Sequence, residues 1–338
     1  MKRRVPIVPL GIFLIALAVR AAALPPPVEP PEAAGVIRVW GTAELAPLLA
    51  RWEAAFLRTH STARFEPRMT GSDAGLPGLY TRRADIALLG REATAAEVKA
   101  FEWIFRYPPA AIEVGTGSVG VAGRSPALVV YAHRDNPLAR LTLAQLDAAF
   151  GCEHLRGAPE NIRTWGQLGL GGDWRDRPIH LYAPDTEEGT GRFFRHVVLG
   201  DSRMLDWEHV REFADTKGLP ATHDAGRKIL AALAADPLGL AVASGGGEDA
   251  RAKPLALAAT AAGPFVAATR ENLVARAYPL TRPVLAYVER APGAPLEPKV
   301  REFLAYVLSP AGQKEIERTG GYLPLTPAAA RAWRAKLE

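Results

Sequence analysis

Cysteine is almost missing from this chain. Cys152 is the only one in 338 residues, which excludes an internal disulfide and a thiolate metal cluster. The histidines, His60, His133, His154, His180, His196, His209 and His223, have no metal-ligand spacing, so no metal or other cofactor is expected. Gly-x-Ser-x-Gly, a Walker phosphate loop and a zincin pair are all absent, which leaves a hydrolase without a motif. Glu187 and Glu188 are adjacent, and neighbours on extended backbone point to opposite faces. They make a poor acid–base couple.

An excess of either charge is missing as well, with 41 Lys and Arg against 36 Asp and Glu. The formal net charge of +5 includes Lys2, Arg3, Arg4 and Arg20. Subtracting those four leaves +1 for the remainder, with no basic run or aromatic-basic stripe, so nucleic acid is not implied as a partner. The one long apolar run, residues 5–19, follows Lys2-Arg3-Arg4 and leads to Ala21-Ala22-Ala23. This is the three-part pattern of a secretory signal peptide, predicted over residues 1–23. A membrane anchor is the rival reading, but Pro6 and Pro9 interrupt the run and it falls short of the ~20 residues a span needs. Residues 24–35 are a proline-rich leader, stiff and extended, with no part in the core. Cys152 lies too far along the chain to be a lipid attachment site. A soluble protein of the periplasm or the exterior is expected, and the ~300 remaining residues suffice for two domains held by their cores alone.

What is present is a repeated corner. Residues 36–40 form an apolar strand that ends in Gly41-Thr42, before a helix with Leu45, Leu48, Leu49, Trp52, Ala55 and Phe56 on one face. Residues 64–69 alternate as a strand and end in the turn 70–75. Residues 84–89 form a buried strand that ends in Gly90-Arg91-Glu92, before a helical stretch with Val98, Phe101 and Ile104. Later, residues 179–183 make a strand that stops at Pro184. Asp185 to Gly189 turn, and Thr190 is the candidate N-cap of a helix with Phe193, Phe194, Val197 and Val198 at helical spacing. Unpaired N–H groups and the positive end of the helix dipole meet at such a turn, so it can hold an anion. Four strand–turn–helix corners resemble an open α/β sheet whose ligand edge is built from loops.

The remaining segments are plainer. Gly115-x-Gly117-x-x-Gly120 has the letters of a dinucleotide fingerprint, but no helix follows and Pro126 does. A flexible glycine-rich connection over residues 114–124 is expected instead. Strand 128–132 and a short helix over 141–150 come next, then a loop with Trp165 and Trp174, read as core or lobe-interface residues. Helix 226–235, strand 238–243, short run 255–258, strand 282–289 and helix 298–308 complete the pattern.

Taken together, several phrases resemble the periplasmic phosphate-binding proteins of phosphate ABC transporters and their wider family of substrate-binding proteins. They are GSDAG at 71–75, ADIALLGRE at 84–92, VYAHRDNPLARLTLAQLDAAF at 130–150 and EGTGRFF at 188–194. ADPLGLAVAS at 235–244, YPLTRPVLAYV at 278–288 and LSPAGQKEIERTGGYLPL at 308–325 follow in the family order. The resemblance runs over residues 36–326. It implies a two-lobed periplasmic binding protein fold of type II, with a mixed sheet in each lobe flanked by helices and a ligand cleft between them. The first lobe would be residues 36–124 and 254–338, the second 125–253.

The resemblance further implies a monomer without enzymatic activity that delivers a small oxyanion, phosphate foremost, to an ABC permease in the inner membrane. Thr42 matches the first-turn position of the family's site, Ser72 the second-turn serine, and Gly189 and Thr190 the glycine and threonine before the helix. The chain departs from the family at three points: Glu188 replaces a serine, Pro184 replaces an arginine, and Gly90 replaces an acidic or hydroxyl residue. Arg91 and Arg192 are expected to supply the lost positive charge. A carboxylate facing a dianion in a dry cleft is repelled by several kcal/mol at an effective dielectric of ~20. Glu188 must then turn away, be protonated or accept the ligand's proton. Two other readings follow from the departures and from the scaffold: a sensor or interaction protein whose ligand has changed or been lost, and a secreted hydrolase.

Overall fold

The computed structural model describes residues 35–119, 127–217, 224–245 and 249–338. The expected signal peptide and all of the leader except Gly35 lie outside the described residues, as do Gly120 and His223. The chain begins with β1 (Val36–Gly41), α1 (Ala46–Phe56), β2 (Arg64–Arg68), α2 (Ser72–Tyr80), β3 (Ile86–Leu89), α3 (Ala95–Phe105) and β4 (Ala110–Gly117). It continues with β5 (Leu128–His133), β6 (Arg140–Thr142), α4 (Leu143–Phe150), β7 (His180–Pro184), α5 (Gly189–Val197), β8 (Val210–Phe213), α6 (Ala225–Ala234), β9 (Gly239–Ser244), β10 (Ala252–Pro254), β11 (Ala256–Ala258) and α7 (Arg270–Val274). It ends with β12 (Pro283–Val288), α8 (Pro298–Val307), α9 (Pro310–Thr319), β13 (Tyr322–Leu323) and α10 (Pro327–Ala335).

Two large sheets hold all of these strands but β6 and β11, which pair in parallel with each other. The first has the order β13-β4-β12-β3-β1-β2, and the second β10-β5-β9-β7-β8. Each is mixed, as expected. In the first, β1 pairs in parallel with β2 and β3, whereas β12 runs antiparallel to β3 and β4. In the second, β7 is parallel to β8 and β9, and β5 is antiparallel to β9. Parallel neighbours require crossover helices on the sheet faces, which is why β3 reads as a buried apolar run.

Core packing fixes the lobes. Ile37, Val39, Trp52, Phe56, Phe303 and Val307 belong to the first core, where Trp52 also donates from Nε1 to Gly312 O at 2.9 Å. Each such side chain contributes about 1.5–3 kcal/mol through its burial. The second core holds Leu128, Phe150, Phe194 and Leu240. Leu255, Leu257, Leu273, Tyr278 and Leu280 join this second core, and α7 also touches β4 of the first sheet. Trp165 is fully buried and meets Trp174 edge to face at 6.0 Å, a core contact.

Two local expectations need correction. Residues 114–117 are not a flexible connection but the end of β4, sealed between β12 and β13, with Gly115 close against Ile316. The glycines conceal a strand because their small size admits close neighbours on both sides. The N-cap of α5 is Glu188, at φ −90° and ψ 158°, and not Thr190. Glu188 N–H closes a turn on Asp185 O at 3.0 Å, which lets the helix start one residue later. A Cβ on Gly191 would stand 2.1 Å from that same Asp185 oxygen, so only glycine permits so tight an entry.

Candidate functional site

The carboxyl ends of β1 and β3 and the start of α2 meet at one edge of the first sheet, which is where open α/β sheets place their ligands. Gly41 ends β1 under compulsion: a Cβ there would lie 1.9 Å from Leu88 O. Thr42 follows, 7% exposed, and its hydroxyl oxygen accepts the Gly90 N–H at 3.2 Å. Gly71 donates to Gly41 O at 3.0 Å, which brings the first turn of α2 and Ser72 beside Thr42.

The second lobe contributes the start of α5, and the two lobes meet there at close range. A Cβ built on Gly189 would be 3.7 Å from Ser72 Oγ. Thr190 Oγ1 accepts a hydrogen bond at 3.3 Å from Nη1 of Arg282, the residue just before β12. Arg282 also donates from Nε to Gly90 O at 3.0 Å and lies over the Phe193 ring. Thr42, Ser72, Gly90, Gly189, Thr190 and Arg282 therefore surround one place.

Three hydroxyls share a polarity at this place. Thr42 Oγ1 accepts from Gly90, Thr190 Oγ1 from Arg282, and Ser72 Oγ from Arg91 Nε at 3.2 Å. A hydroxyl whose lone pair is occupied by an N–H offers its own proton outward. Ser72 finds Asp73 Oδ1 only at 3.5 Å, the far limit of a hydrogen bond. The first N–H groups of α2 and α5 add backbone donors. Such a set can surround an oxyanion.

The expected compensating arginines are otherwise employed. Arg91 is 2% exposed and gives two N–H groups to Glu97 at 2.8 Å each. Glu97 in turn completes a capping box with Thr94 at the start of α3. Burial alone would lower the Arg91 pKa, but the hydrogen bonds and charge of Glu97, and then Asp73, leave it raised. The same contacts, working against burial, hold the Glu97 carboxyl below its usual range. Arg192 is paired with Asp73 of the opposite lobe. Arg91 and Arg192 thus flank the site with their charges matched by carboxylates.

Glu188 turns to its own lobe. Its carboxylate accepts from Asp215 N–H at 3.1 and 3.3 Å. Burial, and after it the neighbouring Asp215 charge, push its pKa up. Pro184 is the buried last residue of β7, in register with Phe213. Arg282, whose guanidinium burial pushes down in pKa, went unrecognised in the sequence. Its signal was a charge at the head of an apolar strand. Elsewhere in the second lobe, Asp206, Glu208 and His209 bring three possible ligand atoms within 4.8 Å of one another. Asp206 there already binds Arg163 and His209.

Two α/β lobes with a donor-lined cleft at their junction define a bilobal solute-binding protein. A family model described as a PBP superfamily domain matches residues 28–311. The phosphate-binding protein PstS of Pseudomonas aeruginosa is 30% identical over 287 residues, which cover 84% of this chain and 81% of that protein. The chain belongs to this superfamily and, within it, to the family of PstS phosphate-binding proteins. Solved structures agree on the fold: an ABC-type phosphate transport receptor from Vibrio cholerae, at 19% identity, and PstS from Borrelia burgdorferi, at 15%, each superpose with a TM-score of 0.60. Each covers 86% of this chain and 99% of the other.

Proposed function

We propose that the protein is the extracytoplasmic substrate-binding component of an ABC transporter, that its ligand is a small oxyanion, inorganic phosphate foremost, and that it acts as a monomer delivering this anion to a membrane permease. The observation that carries this reading is the convergence of Thr42 and Ser72 from one lobe with Gly189 and Thr190 from the other around Arg282. Oriented hydroxyls and helix-start N–H groups replace the water stripped from an anion when the cleft closes. Arg282 provides the guanidinium that Pro184 lacks, from the opposite side of the site. Arg91 is a support that orients Ser72, and Arg192 a bridge at the rim. Glu188, held by Asp215 N–H, stands as the cap of α5 in its own lobe. The name of the Pseudomonas aeruginosa relative supports phosphate over other oxyanions.

Residues 1–23 serve as the export signal in this reading, and the mass of the exported chain tests that part directly. Thermal denaturation with phosphate, sulfate, molybdate and a panel of amino acids tests the ligand. A ligand at a hundred times its Kd adds about 2.7 kcal/mol of stability. Phosphate is expected to raise the midpoint by several degrees. A shift with another ligand of the panel, and none with millimolar phosphate, would sink the phosphate reading.

A further inference from the structure

Helix α5 carries more than Thr190. Arg192 and His196 are four residues apart and share a helix face, and both reach first-lobe carboxylates. Arg192 pairs with Asp73 at the start of α2, and His196 Nε2 lies 2.9 Å from Glu92 Oε2, just beyond β3. The other ring nitrogen, Nδ1, lies 2.9 Å from Asp201 Oδ1 in the second lobe itself. One imidazole is thus held by a carboxylate from each lobe, and only the imidazolium form donates from both nitrogens.

We infer that His196 is a closure residue: as the imidazolium it ties the Glu92 turn of the first lobe to the Asp201 loop of the second, and on losing its proton it releases one of them. The charged groups facing it are Glu92 from the first-lobe turn and Asp201 from the loop that follows α5, with the Arg192–Asp73 pair one helical turn away. Arg91 donates to the Glu92 carbonyl while bound to Glu97, and Arg195 donates to Ser202 O, so both neighbouring guanidinium groups are directed elsewhere. The Glu92 hydrogen bond, acting against burial and helped by Asp201, raises the ring's pKa from 6.5 to about 9. Glu92 reaches the ring only when the lobes are together, so closure is accompanied by proton uptake. The contribution is fully present below the ordinary pKa of 6.5 and is lost as pH rises through about 9. At 45% and 47% exposure the two side chains are screened by water, which limits the effect to about two- to fivefold in affinity.

Calorimetry with inorganic phosphate from pH 8 to pH 10 reads this directly, because inorganic phosphate is already mostly the dianion at pH 8 and stays so up to pH 10. Wild-type affinity is expected to fall about two- to fivefold over that interval. His196→Gln and Glu92→Gln are expected to start at the weaker value and to remain flat. A wild-type slope that survives in both variants overturns the inference. The inference stands apart from the identity of the ligand. If phosphate does not bind at all, the proposed function fails, and X-ray scattering of the ligand-free chain decides the matter. Both variants should then show a larger radius of gyration than wild type at pH 7, and equal radii overturn it.

Discussion

Two buried arginines flank the same cleft and do opposite things. Arg91 gives its N–H groups to Glu97, the Glu92 carbonyl, Asp73 and Ser72. Arg282 gives N–H groups to the Gly90 carbonyl and the Thr190 hydroxyl, two neutral oxygens on opposite sides of the junction between lobes. A carboxylate in bidentate contact cancels most of a guanidinium's field at a neighbouring ligand, as Glu97 does for Arg91, whereas around Arg282 the carboxylate of Glu44 enters as a nearby charge that works against the cost of burial. Proximity to the site therefore does not decide which arginine supplies charge. The partners do, and for Arg91 the deciding partner lies six residues along the chain.

Substitution separates the two roles. Arg282→Gln should produce the largest change in binding, a loss of about a hundredfold or more in phosphate affinity, since removing one member of a buried charged contact costs about 2–5 kcal/mol. Its melting curve should move less than its affinity. Arg91→Ala should reverse that order. Glu97 would be left buried without its partner, at a cost of about 3 kcal/mol in stability, while affinity would fall only about tenfold through the loosened Ser72 hydroxyl. Urea denaturation and calorimetry on both variants check the contrast, and it breaks if Arg91→Ala binds worse than Arg282→Gln. Acid sharpens it further. The Glu97 carboxyl sits below its ordinary range, so its contribution is present above the unfolded value of about 4.3 and is lost as pH falls through the lower folded value. Wild type should therefore lose stability at the acid end of a pH series, and Arg91→Ala should lose less.

The strand-end corners were legible because each has a local cause. Buried β3 is an uninterrupted apolar run, Gly41 sits where a Cβ would strike Leu88 O, and α5 begins after a turn that cannot extend β7. Arg282 was not legible, because its role depends on Gly90 and Thr190, 192 and 92 residues away. The occupation of Arg91 could have been read. Thr94-x-x-Glu97 is a capping-box signature, and it places a carboxylate beside the arginine three residues ahead of the cap. β4 escaped notice because its glycines mimic a loop, and they are tolerated there only because Ile316 and β13 press on them. The packing of Leu257 and Leu273 into the second core joins residues distant in sequence.

Two smaller effects test whether the junction itself, beyond its arginines, is the binding surface. Gly189→Ala puts a methyl 3.7 Å from Ser72 Oγ, an ordinary contact when the cleft is empty. Alanine also suits the first turn of a helix better than glycine. Stability should hold or rise slightly while phosphate affinity falls about tenfold, because the methyl occupies space a closing cleft needs for its anion. Unchanged affinity would move the ligand away from Gly189.

Glu188→Gln is the gentlest change and bears on the family's missing serine. The folded pKa of Glu188 is raised by burial and by Asp215, so its ionised form destabilises the protein at any pH above that raised value. An amide can still accept the Asp215 N–H through its oxygen. Removing the charge should therefore raise stability by a few tenths of a kcal/mol near pH 7 and strengthen phosphate binding about two- to fivefold, the latter through relief of like-charge repulsion at the rim. Both gains should vanish below about pH 4, where the carboxyl of the parent protein is itself protonated. Weaker binding in Glu188→Gln would mean that the carboxylate accepts a proton from the ligand and belongs inside the site.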